Sequence, residues 1–247
     1  MEGITFGTVS KLYNGKATVA DFSLQIAPGE RLVILGPSGC GKTTVLNMLA
    51  GFIVPDSGKI MIDGTLVAAN GLIFREPEER NLGMVFQDLA LWPHLSVRGN
   101  LEFGLKAKGI RAEERAQRIR EVLKLVGMEK YLDAKPGQLS GGERQRIAIA
   151  RSLVPRPGIL LMDEPLSSLD YELNFLLRRE ILGLHKQLGF TLVYVTHNLE
   201  EAFDIATHVV VMKHGKIERM GLSDEMREHY SKLSMQIKSN EKEEYNG

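Results

Sequence analysis

The stretch RLVILGPSGCGKTTVLNMLA, Arg31 to Ala50, decides how the rest of the chain is read. Arg31 to Leu35 is a short run of Val, Ile and Leu, the composition of a strand buried on both faces. Lys42 to Ala50 carries a helical pattern. Between them, GPSGCGKTT (Gly36 to Thr44) fits G-x-x-x-x-G-K-[ST] in the context that gives the pattern meaning, directly after a strand and opening a helix. Gly36, Gly39 and Gly41 let the backbone curl around Pro37, Ser38 and Cys40 so that successive N–H groups face inward. The positive end of the helix adds to their pull on an anion. The expected ligand is a nucleotide phosphate chain, with Lys42 on the β- and γ-phosphates, the Thr43 hydroxyl on Mg²⁺ and Thr44 at the α-phosphate.

Further buried-type strands read at Gly158 to Met162, Thr191 to Val195 and His208 to Met212, and helical patterns at Gly141 to Leu153 and Glu172 to Leu188. Apolar strands alternating with helices predict an α/β fold of the P-loop NTPase kind, with a mostly parallel sheet covered on both faces. The first 30 residues and Lys59 to Val67 alternate in polarity and carry Gly and Asp turns, which predicts an antiparallel β-subdomain. Leu95 to Leu132 shows helix formers only, with Ala116, Ile119, Leu123 and Val126 at helical spacing. A helical insert over about 95–155 follows, inside one domain spanning 1–225, with a polar tail over 226–247.

Composition sets the outer bounds. Thirty-one basic residues balance 31 acidic ones, so the overall charge offers no nucleic-acid partner. The single cysteine excludes an internal disulfide. The N-terminus lacks the apolar stretch of a secretory signal, and no apolar run approaches the ~18 residues of a membrane span. The expected location is cytoplasmic.

The run GILLMDEP (Gly158 to Pro165) ends a buried strand in two acids. Carboxyl ends of parallel strands line the ligand crevice. Asp163 is therefore expected at Mg²⁺ and Glu164 beside an attacking water, as its general base.

At LSGGERQR (Leu139 to Arg146) the sequence resembles the ATP-binding subunits of ABC transporters. The resemblance runs from residue 1 to about 225. It rests on this signature together with GPSGCGKTT, Gln87, MDEP, SSLD (Ser167 to Asp170) and THN (Thr196 to Asn198), all in family order. On physical grounds alone, Ser140, Gly141 and Gly142 cap a helix and expose a second phosphate-binding surface. The resemblance implies that this surface completes the site of a second copy, so that two ATP molecules lie in a head-to-tail pair. It further implies that Gln87 helps hold Mg²⁺, that His197 contacts the γ-phosphate, that Tyr13 stacks on adenine and that Asp170 sits at the dimer seam. Glu143 stands where the family more often has glutamine, and Asn198 where it often has aspartate.

Gln87 to Leu105 resembles the corresponding part of importer ATPases for sugars, polyamines, ferric iron, sulfate and molybdate. There the segment lies beside the groove that receives a helix of the membrane subunit. Leu89, Leu91, Trp92 and Leu95 are accordingly expected as an exposed apolar patch over Gln87 to Leu95. The resemblance implies separate permease subunits, an extracytoplasmic solute-binding protein and a place on the inner face of the cell membrane. Lacking the regulatory β-rich domain of many sugar and polyamine members, the sequence leans toward an inorganic-ion or small-anion cargo. The alternatives are a soluble ABC-type ATPase of repair, cluster assembly or translation, and an exporter ATPase. Finally, Cys40 lies near a helix N-terminus, a position that lowers a thiol pKa. Its alkylation is expected to block the site, and MgATP to protect it.

Overall fold

Strands apolar on both faces must be covered from both sides, and the chain meets that demand with two sheets and two hydrophobic clusters. The computed structural model describes residues 2–232. An antiparallel sheet is built from β1 (Ile4–Tyr13), β2 (Lys16–Ile26), β4 (Ser57–Ile62), β5 (Thr65–Ala69) and β6 (Leu72–Ile73), in the order β2-β1-β4-β5-β6. It is the β-subdomain read from the alternating N-terminal sequence. The second sheet contains β3 (Arg31–Leu35), β7 (Leu82–Val85), β8 (Ile159–Asp163), β9 (Thr191–Thr196), β10 (His208–Lys213) and β11 (Lys216–Leu222). Its order is β11-β10-β3-β9-β8-β7, and every pairing is parallel except the β10–β11 hairpin.

Helix α1 (Lys42–Ala50) packs between the sheets, with Val45, Leu46, Met48 and Leu49 in the same cluster as Phe6, Phe22, Ile34 and Leu161. The opposite face of the parallel sheet is covered by α4 (Gly141–Leu153) and α5 (Tyr171–Leu188), through Ile147, Leu153, Leu177 and Ile181. With α2 (Val97–Ala107) and α3 (Ala112–Leu125), α4 makes up the helical insert; the short α6 (Leu199–Ile205) follows β9. Residues 223–232 are helical and continue past the boundary read at 225, with Met226 buried; 233–247 lie outside the described residues. No helix among the described residues is long and apolar enough to cross a membrane.

One buried cation ties α1 to the β-subdomain. Arg80, 3% exposed, donates through Nη1 to the carbonyls of Met48 (3.0 Å) and Leu49 (2.8 Å), the last turn of α1. Its Nη2 donates to Val67 and its Nε to Arg75. A positive group at a helix C-terminus satisfies carbonyls that have no partner in the helix and complements the dipole. Among the described residues no carboxylate pairs with it, so four neutral acceptors carry the charge. We expect Arg80→Met to cost about 2–4 kcal/mol, since the buried acceptors lose charged donors. For a chain of this length that is a fall of about 4–16 °C in Tm, readable by calorimetry; an unchanged Tm would contradict this reading.

Candidate functional site

In the parallel sheet the chain runs from β3 to the far edge at β7 before returning through β8 and β9, which places a topological switch point beside β3. The loop from Gly36 to Gly41 stands there. A side chain at Gly36 would meet the Met212 carbonyl at 2.4 Å, and Gly41 has φ +107° with the Thr18 carbonyl 2.5 Å from where a Cβ would lie. Only glycine permits that left-handed turn against β2. No side chain caps α1 and no acid sits in its first turn, which leaves its positive end open to a ligand.

Lys42 is 4% exposed, yet its ammonium is satisfied by the carbonyls of Gly36 (2.8 Å) and Pro37 (3.1 Å). A lysine has three N–H donors. The ammonium also lies 3.5 Å from Glu164 Oε1, on the cleft side. The cleft itself, about 290 Å³, is lined by Thr18, Ser38, Gly39, Gly41, Lys42, Thr43, Thr44, Gln87 and Glu164.

The two acids play different parts. Thr43 Oγ1 donates to Asp163 Oδ1 at 3.0 Å, joining the first turn of α1 to the end of β8. Burial pushes the Asp163 carboxyl above the usual range, with the Thr43 hydrogen bond opposing. A buried carboxylate paired with a hydroxyl is a hard-oxygen donor set that suits a small divalent cation bound jointly with phosphate oxygens. Glu164 has φ +43°, a left-handed conformation rare outside glycine. It is held there by its N–H on the Val195 carbonyl (3.0 Å) and by Ser167 Oγ, which donates to the Glu164 carbonyl (2.9 Å). The twist turns the carboxylate into the cleft, where Oε2 lies 2.8 Å from His197 Nδ1. Lys42, Glu164 and His197, from three separate elements, thus form one contact chain.

Ser140 and Gly142 line a different groove, with Tyr131, Glu143, Arg146 and Leu173, and this groove shares no lining residue with the first. Ser140 caps α4 by accepting from the Glu143 N–H, while Glu143 accepts the Ser140 N–H at 2.8 Å and is contacted by the Tyr131 hydroxyl. Glu143 thereby closes a reciprocal capping box, as glutamine at this position also can. A side chain at Gly142 would come within 2.9 Å of Leu173, so α4 and α5 approach closely there. Asp170 accepts from the Leu173 N–H and caps α5. Tyr13 closes β1, half exposed, with the Lys11 ammonium 5.6 Å from its ring centroid; it does not line the first cleft, where Thr18 of β2 does. Thr18 escapes a motif search because its nearness comes from β2 crossing the loop.

Two expectations need correction. Cys40 is 4% exposed and packed in the core cluster, and burial pushes its thiol up, outweighing the nearby Lys42 ammonium. The segment after Gln87 is not an open apolar patch. Leu89 and Leu91 pack on the core, and Trp92 lies against Phe103 (4.6 Å between ring centroids) and under the Arg151 guanidinium (5.3 Å). The Asn100 amide, bonded to the Trp92 N–H and to the carbonyls of Trp92, Leu95 and Ser96, folds the segment back on itself. The exposed aromatic rings in the vicinity are Phe103 and Phe52, the latter stacked on Phe86.

Comparison with known proteins gives this geometry a lineage. The family described as ABC transporter matches residues 19–167. The spermidine/putrescine import ATP-binding protein PotA of Oleidesulfovibrio alaskensis is 47% identical over 91% of this chain and 59% of its own length. The trehalose/maltose import ATP-binding protein MalK of Thermococcus litoralis is 43% identical over 92% and 61%. This chain therefore spans about six tenths of the length of these curated relatives. Among solved structures, a dimeric ATP-binding cassette in a post-hydrolysis state with ADP and Pi superposes with a TM-score of 0.77 at 32% identity, covering 89% of this chain and 98% of that one. With its loop, its two strand-end acids and its signature helix in the order the fold requires, the chain belongs to the ABC transporter family.

Proposed function

We propose that this chain is the ATP-binding subunit of an importer, hydrolysing ATP in a head-to-tail pair to drive solute uptake through separate permease subunits. The observation that carries the reading is the contact chain from Lys42 through Glu164 to His197, in which the first two line a cleft floored by a phosphate-type loop. Each group has a distinct task. The loop N–H groups and Lys42 neutralise the β- and γ-phosphates. Glu164 takes a proton from water as its oxygen bonds to the γ-phosphorus and the bond to the β–γ bridging oxygen breaks, releasing ADP. His197 orients the water and the γ-phosphate, and its contact with Glu164 fixes the carboxylate. The donor set of Thr43 and Asp163, with Gln87 lining the same cleft, would hold Mg²⁺, which would offset the negative charge of the phosphates. Tyr13, with its ring half exposed, is assigned to adenine.

The two grooves sharing no residue support the paired arrangement. Ser140, Gly141 and Gly142 form a capped helix start with no nucleotide loop of their own beside it, and a second copy would bring one, with Asp170 at the seam. A twofold pair also gives each site its missing half. The matched importer relatives, and the dimeric cassette, support the same reading. Permease subunits are assigned to the region of Gln87 to Leu95, where Phe52 and Phe103 offer exposed rings. A solute-binding protein outside the cell and a position on the inner membrane face complete the proposal. Relatives of nearly equal identity carry chemically different cargo names, polyamine and disaccharide, so the ATPase residues do not encode the cargo.

Two outcomes test the site. Glu164→Gln keeps nucleotide affinity and loses about 10²- to 10⁴-fold in turnover, the range of a general base; steady-state phosphate release reads it, and wild-type turnover in that variant removes Glu164 from the role. Cys40 alkylation is slow at neutral pH, accelerates as pH rises past the ordinary thiol range, and slows further with MgATP. Mass spectrometry of labelled protein checks this, and equal labelling with and without nucleotide contradicts it.

A further inference from the structure

Beneath His197 lies a buried carboxylate that the mechanism above does not use. Glu201 is 3% exposed in the first turn of α6, and among the described residues no Lys, Arg or His forms an ion pair with it. Three neutral donors satisfy it instead. Tyr194 Oη and Thr196 Oγ1 each donate to Oε2 at 2.9 Å, and Asn174 Nδ2 donates to Oε1 at 2.8 Å. Burial, and then the Glu201 charge, hold the Tyr194 phenol well above its usual pKa, so it remains a donor.

The three donors come from the segments that carry the reactive groups. Thr196 immediately precedes His197, and its hydroxyl also accepts the Asn198 N–H at 3.0 Å, so the backbone is tied on both sides of the imidazole. Asn174, on α5, donates through the same Nδ2 to the Leu166 carbonyl, two residues beyond Glu164. One carboxylate therefore links the end of β9, which carries His197, to the turn that carries Glu164. One turn further along α5, Arg178 pairs with Glu200 and Asp204 of α6 and clamps the two helices together.

We propose that Glu201 is a positioning residue: it sets the separation between His197 and Glu164 by accepting from Thr196 and Asn174 at once. The inference rests on the hydrolytic reading of Glu164 and His197 and adds a group that never touches substrate. A neutral isostere cannot reproduce its bonding unchanged. Glutamine in its place presents either its NH₂ toward Asn174 Nδ2, a donor facing a donor, or its NH₂ toward Thr196 Oγ1 and Tyr194 Oη, which must then turn their hydrogens away and accept. One of the two arms is lost or reversed, with side-chain volume unchanged. Tyr194→Phe removes a single donor and leaves both arms in place.

The test is a double-mutant cycle. Glu201→Gln is expected to lower turnover about 10- to 100-fold in the wild-type background, and by less than about 2-fold when His197 is already alanine, because it acts through that imidazole. Tyr194→Phe is expected to fall between wild type and Glu201→Gln, with nucleotide Kd unchanged in all of them. An equal fold-loss of turnover in both backgrounds would overturn the proposal, as would a loss of nucleotide affinity that tracks a fall in Tm. A second readout needs no hydrolysis. In nucleotide-free protein, NMR of the His197 ring should respond to Glu164→Gln in the wild-type background and lose that response in the Glu201→Gln background. If the response persists, the positioning role fails. If the ring behaves as expected but wild-type protein releases no phosphate, the hydrolytic reading fails and the positioning role stands.

Discussion

The turn from β3 into α1 has to hold the Lys42 cation almost entirely out of water, and the rest of the site is arranged around that constraint. Lys42 solves it by turning back into its own loop and using the carbonyls of Gly36 and Pro37. Carbonyls carry only partial charges, so the ammonium keeps an unspent attraction for anions on its open side. Glu164 occupies part of that side at 3.5 Å. The same loop leaves the start of α1 uncapped. A ligand rich in negative oxygen is the chemistry that both features call for.

From this turn the neighbouring elements acquire their shape. Asp163 ends β8 in a buried position where Thr43 can reach it, and Glu164 must then twist into the left-handed region to aim at Lys42 rather than follow the strand. Such strain persists only where the surroundings over-determine it. Here they do so through Val195 and Ser167 around Glu164, and through the Glu201 cluster behind His197. The signature groove stands apart from all of this, a capped helix start facing outward. Its separation from the loop supports the proposed pairing, in which a second copy would bring the two grooves together.

Much of this was legible in the sequence, for identifiable reasons. β3 and α1 fall at the residues read for them, because continuous Val and Ile, a glycine loop and a helix-forming run leave little latitude. Helix α4 was legible because Ser140 is a strong N-cap at the head of a periodic run. What stayed hidden depends on distant contacts. Trp92 and Leu91 read as surface because nothing local reveals that Asn100 and Arg151 fold their segment inward. Cys40 read as reactive from its position at a helix start, whereas the packing around it buries the thiol and outweighs that field. Glu201 sits among other acids in NLEEAFD, and only the pairing of β9 with its neighbours shows which of them turns inward.

The central claim is that the catalytic unit is a pair, with each loop completed by the Ser140 face of the other copy. The most direct measurement is turnover per subunit as a function of protein concentration, at saturating MgATP and without any membrane partner. The account predicts that specific turnover rises with concentration toward a plateau and collapses on dilution, as two half-sites dissociate. A specific turnover that stays constant down to dilutions where sedimentation finds only single chains would contradict it.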